Sequence, residues 1–289
     1  MKAIKIILQN SSYYPPKLHT LKQPPEFLLA LGNRKLLNTF GVGIVGARAC
    51  TEESILLTKQ LVPELSRRGI TIISGMADGI DQIAHQECIH AKGKTIAIIG
   101  CGFEIAKKEK IFSEILENDG LIISEYFPDI PALRYHFPRR NQILVALSKA
   151  IVAVETHVKS GTMITAKEAL QQQIPLFTFP GDIYNKKFYG NNLLLTKGAF
   201  CINSYSDIIK KLKTIYPNEK FIPHLCKTSS LKIPNEFQDI YSILDEYPQH
   251  INNIAKKINL PLHELQSKLT LMELEDFICQ VQNNYYLRN

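Results

Sequence analysis

The sequence predicts an α/β fold, a doubly wound and mostly parallel sheet, followed by a small C-terminal winged-helix-like domain. Three observations carry this expectation. Short, β-branched, nearly all-apolar runs alternate with segments of helical apolar spacing. Glycines and polar residues recur where the apolar runs end. Near residue 234 the net charge changes sign and the periodicity changes with it.

The runs at residues 42–45, 70–73, 95–99, 121–123, 151–154 and 176–179 read as strands buried on both faces. Between them, residues 52–68, 80–91, 139–148 and 163–173 read as helices. Residues 1–38, with the proline pairs Pro15-Pro16 and Pro24-Pro25, are expected as an extension packed on a main domain of residues 39–215. Residues 216–234 hold three prolines and two serines without a period and read as a linker. Residues 235–289 form the last domain. Helical patterns at 237–246, 251–258 and 261–277 precede two strands within 278–287 around Asn283-Asn284, which together suggest a winged helix.

With 289 residues and 45% hydrophobic content, the chain can bury a sizeable core. No stretch reaches the ~18 consecutive apolar residues of a membrane span. Residues 1–10 lack the long apolar region and small-residue cleavage site of a secretory signal, so a cytoplasmic location is expected. The six cysteines, Cys50, Cys88, Cys101, Cys201, Cys226 and Cys279, contain no C-x-x-C pair, which points to neither a disulfide framework nor a zinc site. Residues 1–234 carry a net charge of +11 and residues 235–289 a net charge of −4. A polyanion should therefore meet the first part of the chain and be repelled by the last.

Ligands of doubly wound sheets bind beyond the carboxyl ends of the strands. There the sequence places Gly46-Ala47-Arg48, Ser74-Gly75-Met76-Ala77-Asp78-Gly79, Gly100-Cys101-Gly102, Ser124-Glu125, Lys159-Ser160-Gly161-Thr162 and Pro180-Gly181. Several of these lead straight into a helix, whose first N–H groups lack partners and attract phosphate oxygens. Residues 41–46 match G-x-G-x-x-G letter for letter, but the first two glycines precede or interrupt the strand. Ser74 stands where a dinucleotide site would have a carboxylate, so no nicotinamide or flavin cofactor is expected.

The densest signal is Arg134-Tyr135-His136-Phe137-Pro138-Arg139-Arg140-Asn141. Guanidinium groups neutralise phosphates and aromatic faces stack on unpaired bases, the combination by which single-stranded nucleic acid is held. The same segment is compatible with surface arginines paired to Asp129 or Glu125 and with Phe137 as a core anchor. Catalytic patterns are weak. Ser74, Ser124 and Ser160 lack a G-x-S-x-G context. His85 and His90 do not share a helix face as a ligand pair would, and Asp78 and Asp81 read as helix caps before they read as metal ligands with Glu125. No metal is expected.

The ordered motifs at residues 46–48, 74–81, 99–102, 124–126, 137–141, 159–166 and 179–181 resemble the DNA-processing protein A (DprA, or Smf) family over about residues 14–209. The resemblance implies an extended Rossmann-like domain that binds single-stranded DNA without being an enzyme. It also implies a homodimer that protects incoming DNA and loads the RecA recombinase in natural transformation. Carried over residue by residue, the DNA-binding set is Gly46, Arg48, Arg134, Phe137, Arg139, Arg140, Asn141, Lys159, Ser160 and Gly161. Ala49 and Gln142 stand where many members have basic residues, which implies lower affinity.

The enzyme alternative is a Rossmann-like nucleotide phosphoribohydrolase. Its P-G-G-x-G-T-x-x-E loop is absent, because Pro180-Gly181 is followed by Asp182-Ile183-Tyr184. A winged-helix regulator of duplex DNA is disfavoured because residues 261–277 hold one lysine and four acids, the wrong sign for a major groove.

Overall fold

Nine short strands build the main sheet: β1 (Lys5–Leu8), β2 (Phe27–Gly32), β3 (Gly41–Val45), β4 (Thr71–Ser74), β5 (Thr95–Ile99), β6 (Leu121–Ser124), β7 (Ala150–Ala153), β8 (Leu176–Thr178) and β9 (Phe200–Cys201). They lie in the order β1-β2-β6-β5-β4-β3-β7-β8-β9. The seven strands from β6 to β9 are parallel, while β2 pairs antiparallel with both β6 and β1. The computed structural model describes residues 3–221, 233–244, 249–258, 260–275, 277–282 and 284–288. The chain divides into two compact units, residues 1–224 and 225–289.

Among the described residues of the first unit are eight α-helices: α1 (Glu52–Arg67), α2 (Ile80–His90), α3 (Phe103–Ala106), α4 (Lys110–Glu117), α5 (His136–Leu147), α6 (Gly161–Gln171), α7 (Tyr189–Thr196) and α8 (Tyr205–Ile215). Successive side chains of a strand point to opposite faces, and the core divides accordingly. Ile73, Ile96, Ile98, Ile151 and Ala153 pack with Leu144 of α5 and Met163 of α6. Val42, Ile44, Ile72, Ala150 and Val152 pack with Leu61 of α1 and Ala84 of α2. Each Ile, Val or Leu removed from water this way contributes about 1.5–3 kcal/mol.

The N-terminal residues depart from expectation. Instead of an extension preceding the first strand, β1 and β2 are part of the sheet, with Leu29 opposite Ser124 and Leu31 opposite Ile122. A Leu-Leu-Ala-Leu run has neither β-branching nor alternation, so sequence alone does not announce it as a strand. The expected linker also begins later than residue 216. Tyr216 donates its hydroxyl to the Lys149 carbonyl at 2.7 Å, and Phe40 makes edge-on contacts with Tyr216 and Phe221. Residues 222–232 of that segment lie outside the described residues.

The second unit contains α9 (Asn235–Ile243), β10 (Gln249–His250), α10 (Ile251–Ile258), α11 (Leu262–Leu274), β11 (Ile278–Gln282) and β12 (Tyr285–Arg288). Its strands lie in the order β10-β12-β11, around a core that includes Phe237, Ile240, Ile254, Leu265, Leu269 and Met272. Asn284 takes the left-handed conformation (φ 68°) expected of the hairpin turn, and Asn283 lies outside the described residues. No described helix is long and apolar enough to cross a membrane.

Asn191 of α7 fixes the ends of two central strands. Its amide donates to the carbonyls of Val154 (2.8 Å) and Phe179 (3.2 Å), and its oxygen accepts from the Thr156 N–H (2.7 Å). All three backbone groups need this partner because the site is fully buried. Asn191→Ala should therefore cost roughly 3 kcal/mol or more in denaturant unfolding, since each orphaned buried group costs about 1–3 kcal/mol. A loss below about 1 kcal/mol would show that water replaces the amide.

Candidate nucleic-acid interface

The sheet order reverses between β3 and β7, because β4, β5 and β6 lie on one side of β3 while β8 and β9 lie beyond β7. Val45 is paired with Ala153, and the Val154 N–H donates to the Val45 carbonyl at 2.9 Å. The loops after β3 and β7 thus leave the sheet side by side, which brings Gly46-Ala47-Arg48 next to the segment that leads to Lys159-Ser160-Gly161. The loop after β4 supports the loop after β3. Gly79 has φ 76°, and a Cβ there would lie 2.3–2.4 Å from the Arg48 and Ala47 carbonyl oxygens. Only glycine allows that approach.

Arg140 is not a surface contact. It is 5% exposed and sits 3.7 Å from the buried Asp81 carboxylate at the start of α2. It also donates to the Ile98 carbonyl at 3.2 Å, and Asp81 accepts from the Gly75 N–H at 3.2 Å. A Cβ on Gly75 would lie 1.2 Å from the Arg140 Nη1, so the guanidinium occupies the space left by a missing side chain. Burial pushes the Asp81 carboxyl up and the adjacent Arg140 pulls it back down. Nearby, His85 is held neutral, its pKa pushed down to about 3 by burial and then by Arg140, while its Nδ1 meets the Thr95 hydroxyl at 2.7 Å.

Arg139 is also occupied. Its guanidinium makes a two-pronged contact with Glu125, 2.8 Å through Nε and 2.6 Å through Nη2. This is the pairing that the sequence left open as an alternative. Both arginines are positioned by α5, which begins at His136, three residues before the expected helix. Pro138 falls in its first turn, where no helical partner is lost. On the inner face His136 and Arg140 are buried, and one residue round the helix Phe137 and Asn141 are half-buried.

Other groups of this edge point outward. Exposed Arg48 lies over the half-buried Phe137 ring, 5.0 Å from its centroid, a cation–π arrangement that joins the first loop to α5. Phe137 also lies against the loop after β5, where a Gly100 Cβ would stand 3.4 Å from its ring. Arg134 is exposed and Tyr135 is 70% exposed where the chain enters α5. Lys159 and Gly161 are exposed at the start of α6, and half-buried Ser160 caps that helix by accepting from the Met163 N–H at 3.1 Å. The positive end of the α6 dipole thus stands beside a lysine.

Sequence reasoning passed over Glu155. It is 2% exposed, and its Oε2 accepts from the Thr51 N–H (2.8 Å), the Thr51 hydroxyl (2.8 Å) and the Ser54 hydroxyl (2.7 Å). A carboxylate of the chain therefore fills the anion position at the α1 N-terminus. Gly41 and Gly43 lie inside β3, where a Cβ would strike Ile73 and Ile151 at 2.5 and 2.4 Å. The G-x-G-x-x-G match is thus a matter of strand packing. The only signal for Glu155 was an acid directly after an apolar strand.

The described fold and strand edge define a Rossmann-like α/β protein whose carboxyl edge is suited to anions. The family model for DNA recombination-mediator protein A matches residues 5–213, and the chain belongs to that family. It is 35% identical to the Bacillus subtilis DNA processing protein DprA over 73% of this chain and 72% of that one. It is 29% identical to Escherichia coli protein Smf over 97% of this chain and 76% of that one. The crystal structure of DNA processing protein A from Streptococcus pneumoniae aligns with a TM-score of 0.68 at 31% identity, covering 72% of this chain and 74% of that one. The Helicobacter pylori protein, whose structure concerns its single-stranded DNA binding mode, aligns with a TM-score of 0.66 at 32% identity, covering 75% of this chain and all of that one.

Arg140→Ala should act on stability first. It leaves the Asp81 carboxylate buried without its partner, at a cost of about 3–5 kcal/mol, measurable by denaturant unfolding. A variant that unfolds like wild type would show that Asp81 is satisfied without the guanidinium.

Proposed function

We propose that this chain binds single-stranded DNA along the carboxyl edge of its sheet, in preference to duplex and with little base preference. The observation that carries the reading is the Arg48 guanidinium laid over the half-buried Phe137 ring at 5.0 Å, on the same edge as exposed Arg134, Tyr135 and Lys159. Guanidinium and ammonium groups neutralise phosphates. Aromatic faces recognise bases only where these are unstacked, as in a single strand. The Helicobacter pylori relative, described for its single-stranded DNA binding mode, supports the same reading.

Within this reading the protein is a cytoplasmic recombination mediator. It acts as a homodimer, protects incoming strands and hands them to the RecA recombinase in natural transformation. The family description, a recombination mediator, supports that role. Residues 235–289, with a net charge of −4, are assigned as a winged-helix-like module that meets protein. Glu264 and Glu273 on α11 repel a phosphate backbone, while Leu271 and Leu274 are exposed on the same helix.

Fluorescence anisotropy with matched single-stranded and duplex oligonucleotides tests the reading. Single strands should bind more tightly, and affinity should fall steeply with salt. Arg48→Ala should reduce the magnitude of the log–log salt slope by about 0.7. Phe137→Ala should cost about 1–3 kcal/mol with little change in slope. Because the ring also seats Arg48, the double variant should lose less than the sum of the two. Equal affinity for both DNA forms would refute the proposal.

The protein is also proposed to be no hydrolase. Three of its strand-end carboxylates are committed to protein partners: Asp81 to Arg140, Glu125 to Arg139, and Glu155 to Thr51 and Ser54. Incubation with nucleoside monophosphates should release no ribose phosphate. Steady turnover above that of an Arg48→Ala control would instead favour the phosphoribohydrolase alternative.

A further inference from the structure

The loop between β8 and α7 contributes nothing to the site described so far, yet it is firmly built. The Asn192 side chain accepts from the Gly181 N–H at 3.1 Å and donates to the Gly181 carbonyl at 3.0 Å. Phe188 is fully buried beneath the loop. Asp182 accepts from the Tyr184 N–H at 2.8 Å, and Asn185 accepts from the Lys187 N–H at 3.1 Å. This frame presents Tyr184, 86% exposed, together with exposed Lys186 and Lys187.

Two observations connect the loop to the strand edge. β8 pairs directly with β7, so the loop extends the edge past the segment that carries Lys159. The Lys187 ammonium also reaches across to donate to the Ala49 carbonyl at 3.2 Å, one residue from Arg48. An ammonium has three donors, and this bond uses one. Three residues earlier in the same loop, Tyr184 leaves a flat ring in water on a braced backbone. A cation and an exposed aromatic side chain on one loop, joined to the Arg48–Phe137 pair through Ala49, suit a polymer of alternating phosphates and bases.

We propose that the strand held at Arg48 and Phe137 continues across Ala49 onto this loop, where Lys187 contacts a backbone phosphate and Tyr184 stacks on a base. The inference rests on the single-strand reading and extends that site to a second region. Sequence gave no sign of it, because nothing in the spacing of residues 48 and 187 indicates that they meet.

Anisotropy titrations of the full chain with labelled oligothymidylates of about 5 and about 16 nucleotides test the extension, lengths taken from the site sizes common for single-strand binders. On the longer strand, Tyr184→Ala should lose about tenfold in affinity, within the range for one base–aromatic stack. Lys187→Gln should reduce the magnitude of the salt slope by about 0.7. On the shorter strand both should bind like wild type, and their melting temperatures should not change, since both side chains are exposed. Wild-type affinity of both variants on the longer strand overturns the extension. Equal losses at both lengths also overturn it, because the loop would then act by shaping the Arg48 region. If Arg48→Ala weakens binding while the loop variants do not, only the extension fails. If the wild type does not prefer single strands, the parent reading fails.

Discussion

A buried ion pair holds the carboxyl edge of this sheet together. Arg140 comes from a helix on one face, Asp81 from a helix on the other, and they meet over the sheet at Gly75. Taking two charges out of water is costly. The pair survives because each partner has further support: the Ile98 carbonyl for the guanidinium and the Gly75 N–H for the carboxylate. A side chain at position 75 would occupy the guanidinium's place. The backbone of one loop, the register of α5 and the start of α2 are therefore set by a single constraint.

The same edge divides its charges between structure and surface. Glu125 neutralises Arg139, Asp81 neutralises Arg140, and Glu155 takes the electropositive start of α1. Facing outward are Arg48, Arg134, Tyr135 and Lys159, with the edge of Phe137, alongside the exposed carboxylate of Asp78. In the proposed complex a phosphate would meet these cations, while the buried carboxylates are spent on protein donors. Filling the α1 N-terminus with Glu155 also removes the place where a doubly wound fold would seat a dinucleotide pyrophosphate.

Phe137 stands between packing and recognition. It is half-buried against the loop after β5, which fixes its ring, while Arg48 lies over one face. In the proposed single-strand site a fixed ring would lose little entropy when a base stacks on it, with the guanidinium held above it. Charge and stacking are therefore coupled here through one contact.

Much of the fold was legible in the sequence because it is written locally. β-Branched apolar runs set β3 to β8, helical spacing set α1, α2 and α6, and glycines marked the strand ends. Clustering of Arg134 to Asn141 also marked the strand edge on which Arg48 meets Phe137. Tertiary structure alone decided which member of that cluster does what. The phase of α5 against the sheet turns Arg140 inward to Asp81 and leaves Phe137 under Arg48. Likewise, β1 and β2 join the sheet through partners far along the chain, and Lys187 reaches Ala49 from another loop. A local pattern records which face of an element is apolar. Which charges meet across the sheet depends on strand order and helix phase, and these exist only once the chain has closed on itself.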